Sequence, residues 1–193
     1  MEAFSDGVIA IIITIMVLEL KVPQDNTWAA FLKQTPTYLS YSLSFLLVAV
    51  YWVNHHHAMH LVQRVNGFIL WANINLLFWM SLMPWATASL GSSHAFDGRH
   101  EPSLMVQLYV FLALAVAIAF LMLGYCIQQQ HRSNPSLMSL HAKLRQKNYI
   151  AIAIYIVALG MTFFSTAAAM VLVILPALMY FLPDSSVEHH LKD

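Results

Sequence analysis

The sequence predicts an all-α integral membrane protein with six transmembrane helices per subunit and both termini in the cytoplasm. Of its 193 residues, 60% are hydrophobic and 9% are charged, whereas soluble domains have about 45–50% apolar and about 25% charged residues. Several apolar stretches approach the roughly 20 residues that a helix needs to cross a bilayer, and short polar segments separate them. We find no repeat or dividing linker, so residues 1–193 are predicted to form a single domain.

The six helices are predicted from apolar length and from residues typical of helix ends. Lys21 marks the end of the first helix. The second helix begins at Thr35 and Pro36, where Thr can cap and Pro suits the first turn. Pro84 predicts a kink inside the third. The last two come from one apolar stretch that is too long for a single crossing, and we divide it near Ser165. The predicted spans are residues 4–20, 36–57, 67–90, 103–128, 148–164 and 166–182.

The distribution of basic residues predicts the orientation, because short cytoplasmic loops retain Lys and Arg. With six spans and both ends inside, the cytoplasmic side holds Arg64, Arg132, Lys143, Arg145, Lys147 and Lys192. The outer side holds Lys21, Lys33 and Arg99.

Composition also argues against several classes of function. The formal net charge is zero, and nucleic-acid binding needs an excess of clustered Lys and Arg. Cys126 is the one cysteine, so neither an intrachain disulfide nor a thiolate metal cluster is available. We therefore expect no nucleic-acid partner.

Two polar residues, Ser5 and Asp6, open the first apolar stretch. One interpretation is that they cap the helix, since Ser and Asp oxygens accept bonds from the first free amides. The other is that an ionisable group at a membrane boundary marks an ion path or a polar clamp between helices. The sequence leaves both open.

Further along this helix, Ile11, Ile15 and Leu18 share one stripe and Thr14 lies beside it. Nearly every other position is also apolar, so periodicity does not decide which stripe faces protein. The Thr14 hydroxyl is expected to bond back to its own helix.

A histidine cluster, His55, His56, His57 and His60, closes the second span. It has three interpretations: bonds to helix ends or water, a polar clamp to the start of the first helix, or a metal site using imidazoles one turn apart. The metal interpretation lacks a carboxylate nearby in sequence, and no other predicted span contains a histidine. In the third span, Asn73 and Asn75 are predicted to hydrogen-bond across helices. Ser40, Ser42 and Ser44 are small enough for close helix packing.

The segment FSDGVIAIIITIMVLEL, residues 4–20, resembles the first helix of the transmembrane protein 175 family. That family's motif is Arg-x-x-x-Phe-Ser-Asp, matched here by Phe4, Ser5 and Asp6, while its arginine is absent from this chain. The segment YWVNHHHAMH is similar to the family's cluster of Trp and His, which Trp52, His56 and His57 represent here.

The resemblance implies a cation channel that prefers potassium, assembled as a homotetramer whose first helices line a central pore. It places the hydrophobic constriction at Ile11, followed by Ile15 and Leu18, and makes Thr14 a ring of hydroxyl dipoles. From their positions, a clamp formed by Phe4, Ser5, Asp6, Trp52, His56 and His57 is expected to anchor the first helix.

The sequence therefore predicts a potassium channel and not an enzyme. Its partners would be potassium ions, the lipid bilayer and further copies of the chain. We expect no cofactor and no resident metal, potassium being the permeant ion. A single repeat suggests the plasma membrane of a prokaryote. A secondary transporter remains an alternative, although no span carries a carboxylate at mid-depth. The second alternative is a haem- or metal-binding redox protein that uses the histidine cluster.

Overall fold

The computed structural model describes residues 1–93, 103–131 and 134–181. Three basic residues used to predict the orientation, Arg99, Arg132 and Lys192, lie outside these ranges, as does Leu182 at the end of the last predicted span. All regular secondary structure in the described ranges is helical, as predicted.

The residues that the structure describes form eight α-helices. They are α1 (Glu2–Val17), α2 (Trp28–Lys33), α3 (Thr35–His60), α4 (Gly67–Ser81), α5 (Met83–Ser92), α6 (Leu104–Gln128), α7 (Pro135–Met161) and α8 (Thr166–Phe181). A short 3-10 turn, Gln129–His131, follows α6.

The prediction of six transmembrane helices is wrong. Within the described residues, three helical segments are long and apolar enough to cross a membrane: Thr35–His60, Gly67–Ser92 and Leu104–His131. They correspond to the second, third and fourth predicted spans.

The other three predicted spans fail for identifiable reasons. Within the described residues, helices α1 and α8 have 16 residues each, about 24 Å at 1.5 Å per residue, which falls short of a hydrocarbon core of about 30 Å. Helix α7 starts at Pro135 and runs through the basic segment 143–147, which the predicted spans leave in a loop. The predicted orientation counted charges on alternate sides of six spans, so it loses its basis.

Two predicted helix breaks are confirmed. The third span is divided at Leu82, and Pro84 lies in the first turn of α5, where its missing N–H costs no helical bond. The long apolar stretch near Ser165 is divided as well, because α7 ends at Met161 and α8 begins at Thr166.

Helix α3 packs tightly on α5, as its small residues predict. A Cβ built on Gly91 would lie 3.1 Å from the Thr37 Cα and 3.5 Å from the Ser40 Oγ, so a larger residue would require the two helices to move apart by a few tenths of an ångström. Ser44 lies further along α3, and its Oγ is 2.8 Å from the Tyr109 hydroxyl of α6. Helix α1 packs against α3, α4 and α5 at one side of this core.

Candidate functional site

Helix α1 has one face in the protein core and another that the described residues leave exposed. The buried face consists of Ser5, Ile9, Ile12 and Met16, at the spacing of one helical stripe. Because both faces are apolar over most of the helix, only tertiary packing distinguishes them.

The residues predicted to line a pore all lie on the exposed face. Ile11 is 57% exposed, Ile15 is 44% exposed and Leu18 is 76% exposed. Leu18 is the C-cap residue of α1, directly after Val17. The Thr14 hydroxyl donates a 2.9 Å hydrogen bond to the Ile11 carbonyl oxygen, which confirms that it bonds back to its own helix.

Ser5 belongs to a buried polar chain that joins three helices. The Asn73 Nδ2 of α4 donates to the Ser5 Oγ at 2.9 Å, and the Asn73 Oδ1 lies 2.8 Å from the His55 Nε2 of α3. The Ser5 Oγ itself donates to the Met1 carbonyl oxygen at 3.3 Å. All three polar side chains are buried. Asn73 therefore bonds across helices as predicted, and Ser5 contributes to helix packing.

Asp6 contacts α3 at a different position. The Trp52 Nε1 donates a 2.9 Å hydrogen bond to the Asp6 Oδ1. The Trp52 ring also stacks on the His56 ring, with centroids 5.8 Å apart. Asp6 therefore binds a neighbouring helix. No side chain caps the start of α1, so the capping interpretation fails.

The start of α1 meets the end of α3 in a second polar cluster. The His56 Nδ1 lies 3.1 Å from the Glu2 Oε1, and the His60 Nε2 lies 3.0 Å from the His56 Nε2. These contacts bring the three side chains together, and the donor and acceptor roles of the two imidazoles depend on their tautomers. The expected histidine contact with α1 therefore involves Glu2.

The other two clamp residues have different surroundings, although the His57 ring centroid lies 6.1 Å from that of His56. Phe4 is 64% exposed. His57 lines a mainly apolar cavity of about 330 Å³ between α3, α6, α7 and α8.

Sequence reasoning missed two partners in this region. Glu2 was missed, because it occupies one of the variable positions of the family motif, before Phe4. His55 was grouped with its neighbours, although it points into the core. The alternation of burial along α3 is the signal that would separate His55 from His56, and the sequence shows it only weakly.

The apolar helices and the anchored first helix define an integral membrane protein. The model of the family described as Endosomal/lysosomal potassium channel TMEM175 matches residues 1–84. A potassium channel of Chryseobacterium sp. (strain P1-3) is 43% identical over 194 residues, covering 100% of this chain and 97% of the relative. The chain belongs to the TMEM175 family.

Two further relatives extend this similarity. A potassium channel of Streptomyces collinus is 38% identical over 120 residues, covering 60% of this chain and 58% of the relative. The crystal structure of a lysosomal potassium-selective channel TMEM175 homologue from Chamaesiphon minutus matches with a TM-score of 0.80. That structure is 29% identical, and the match covers 94% of each chain.

Proposed function

We propose that this protein is a potassium-preferring cation channel in the cell membrane of a prokaryote. The observation that carries the proposal is the similarity along the whole chain to a relative named as a potassium channel. A channel needs no catalytic residue or cofactor, and potassium is its permeant ion. Permeation is passive.

The pore is lined by α1 of each subunit in a homotetramer. The exposed face of α1 supports this assignment, because it lies opposite the residues that pack in the core. The shortness of α1 does not count against it, since a helix that lines an aqueous path inside an assembly need not match the hydrocarbon thickness.

A hydrophobic constriction at Ile11, Ile15 and Leu18 acts as the gate. Aliphatic side chains that meet around an axis do not compensate an ion for its lost hydration, so a narrow apolar ring closes by dewetting. The exposure of all three side chains on one face of α1 supports this role.

Thr14 supplies oxygen ligands that bias selection towards potassium. Its hydroxyl proton is used in the bond to the Ile11 carbonyl oxygen. A hydroxyl has two acceptor lone pairs beyond its donor, so the Thr14 oxygen can present them to a cation while the backbone fixes its orientation.

The clamp residues Phe4, Ser5, Asp6, Trp52, His56 and His57 hold α1 at a defined angle. The bonds from Asn73 to Ser5 and from Trp52 to Asp6 support this role, because they join α1 to two different helices. Fixing the angle of α1 fixes the width of the constriction.

The proposal is tested by potassium and sodium flux into liposomes that contain the purified protein, with the variant Ile11→Asn measured in parallel. We expect the wild-type protein to favour potassium. Ile11→Asn should raise flux and weaken discrimination, because the amide wets the constriction.

Ile156→Asn is the matched control. Ile156 lies on α7 and is 56% exposed, against 57% for Ile11, so the same substitution is made at the same exposure away from α1. This control should keep wild-type flux. Equal effects of the two variants would remove Ile11 from the pore, and no flux from folded wild-type protein would reject the channel itself.

A further inference from the structure

The strongest unassigned cluster in the described residues joins the first turn of α1 to the last turn of α3. Glu2, His56 and His60 each offer one ligand atom, and these atoms all lie within 4.8 Å of one another. We propose that these three side chains bind a divalent transition metal of the zinc class.

The spacing of the two histidines suits such a site. His56 and His60 are one turn apart on the last part of α3, and histidines at positions i and i+4 place both imidazoles on one helix face. Their rings are 4.4 Å apart between centroids and lie nearly perpendicular. The third ligand, the Glu2 carboxylate, comes from another helix and supplies the negative charge that the histidines lack.

One distance between ligand atoms already matches a zinc site, and the His60 ring, whose Nε2 lies 3.0 Å from the His56 Nε2, must move to share an ion with the His56 Nδ1. Zinc binds imidazole nitrogen and carboxylate oxygen at about 2.0–2.2 Å, which places tetrahedral ligand atoms about 3.4 Å apart. The His56 Nδ1 is 3.1 Å from the Glu2 Oε1, and the His60 Nε2 is 4.0 Å from the same oxygen.

Access and ligand chemistry favour the zinc class. The side chains of Glu2, His56 and His60 are between 39% and 48% exposed, so an ion can enter and water can complete a tetrahedron. Imidazole is a ligand preferred by zinc, copper and nickel, whereas magnesium and calcium prefer oxygen. The stacked Trp52 ring restrains the orientation of His56.

Metal binding would add a second link between α1 and α3, which the hydrogen bond from Trp52 to Asp6 already joins without metal. An ion that binds the folded protein more tightly than the unfolded chain stabilises the fold in proportion to the logarithm of its concentration. The site is defined by its ligands alone and does not depend on whether the protein conducts ions.

The test uses the full-length protein in detergent, with any polyhistidine tag removed and EDTA dialysed away. Co²⁺ is titrated while the visible absorption of tetrahedral cobalt is recorded, and Zn²⁺ is then added as competitor. We expect one cobalt per chain at this site, displaced by zinc, and a melting temperature that zinc raises.

Three variants identify the ligands. Glu2→Gln and His60→Gln should each weaken cobalt affinity by more than about tenfold. Loss of a residue that only supports a metal ligand already costs about that much, and these two residues are proposed as ligands. Glu2→Gln keeps an oxygen that accepts from His56, so the fold is retained. His57→Gln is the matched control, because it removes an adjacent histidine outside the cluster, and it should bind as the wild type does.

Two results would overturn the proposal. One is wild-type affinity in both ligand variants, which would place any bound cobalt elsewhere in the chain. The other is a loss in His60→Gln with no change in Glu2→Gln, because the site would then lack its carboxylate. Melting curves without metal show whether each variant is folded.

Discussion

Asn73 connects the first helix to the rest of the protein through one buried amide. Its Nδ2 donates to Ser5 and its Oδ1 accepts from the His55 Nε2. An amide buried in an apolar interior without hydrogen-bond partners is costly. The bonds to Ser5 and His55 therefore favour the arrangement of α1, α3 and α4 in which Asn73 reaches both partners.

Replacing Asn73 with Ala should lower the free energy of unfolding by about 1–3 kcal/mol, because the His55 N–H is then buried without its acceptor. Thermal melting in detergent measures the change. Asn75→Ala is the control, since Asn75 lies on the same helix but is only half-buried. Equal shifts in melting temperature for both variants would contradict a special role for Asn73.

The residue types at the candidate site could be predicted from the sequence, but their pairing could not. Ser5 and Asp6 stood out because they are polar at the start of an apolar stretch. Their partners lie 68 and 46 positions away, and three neighbouring histidines offered equally good alternatives. The rotation of α1 was also beyond the sequence, because its buried and exposed faces are both aliphatic.

Among the helices, α7 departs furthest from what the sequence predicts. Its first half is polar and its second half is apolar, so hydropathy finds a short span preceded by a loop. The structure has one continuous helix, Pro135–Met161. Contacts with the end of α6 stabilise its polar half, including a 3.0 Å bond from the Arg145 guanidinium to the Gln128 Oε1. Breaks marked by proline or by excess apolar length were easier to predict, because their cause is local.

A buried histidine pair links α7 to the turn after α6. The His141 Nε2 lies 3.1 Å from the His131 Nδ1, and both rings are buried. Burial lowers the pKa of His141 below its usual value of 6.5, and His131 and Arg145 add to the effect. The folded protein therefore binds a proton at His141 less readily than the unfolded chain does.

Stability from this pair should be complete above pH 6.5 and should fall as the pH drops further, because protonation favours the unfolded chain. One proton limits the slope to about 1.4 kcal/mol per pH unit. Melting temperature measured against pH in EDTA tests this, and His141→Gln should flatten the acid limb.

The interpretation is wrong if His141→Gln retains the full acid dependence.

At the scale of the whole molecule, the described residues leave many large apolar side chains exposed on several helices. A membrane protein is expected to present part of such a surface to lipid. Under the proposed function, the exposed apolar face of α1 lines the pore, and a single helix cannot enclose an ion path. Several copies must then bring this face together around an axis.

We therefore expect native mass spectrometry of flux-competent protein to give a mass four times that of the chain. Coexpression of a tagged and an untagged chain should give every combination that sums to four, because subunits of a symmetric assembly mix at random before they associate. Ile156→Asn, which is changed away from α1, should show the same distribution. Flux from a species with the mass of one chain would contradict a pore shared between subunits, and the exposed face of α1 would then have to contact lipid.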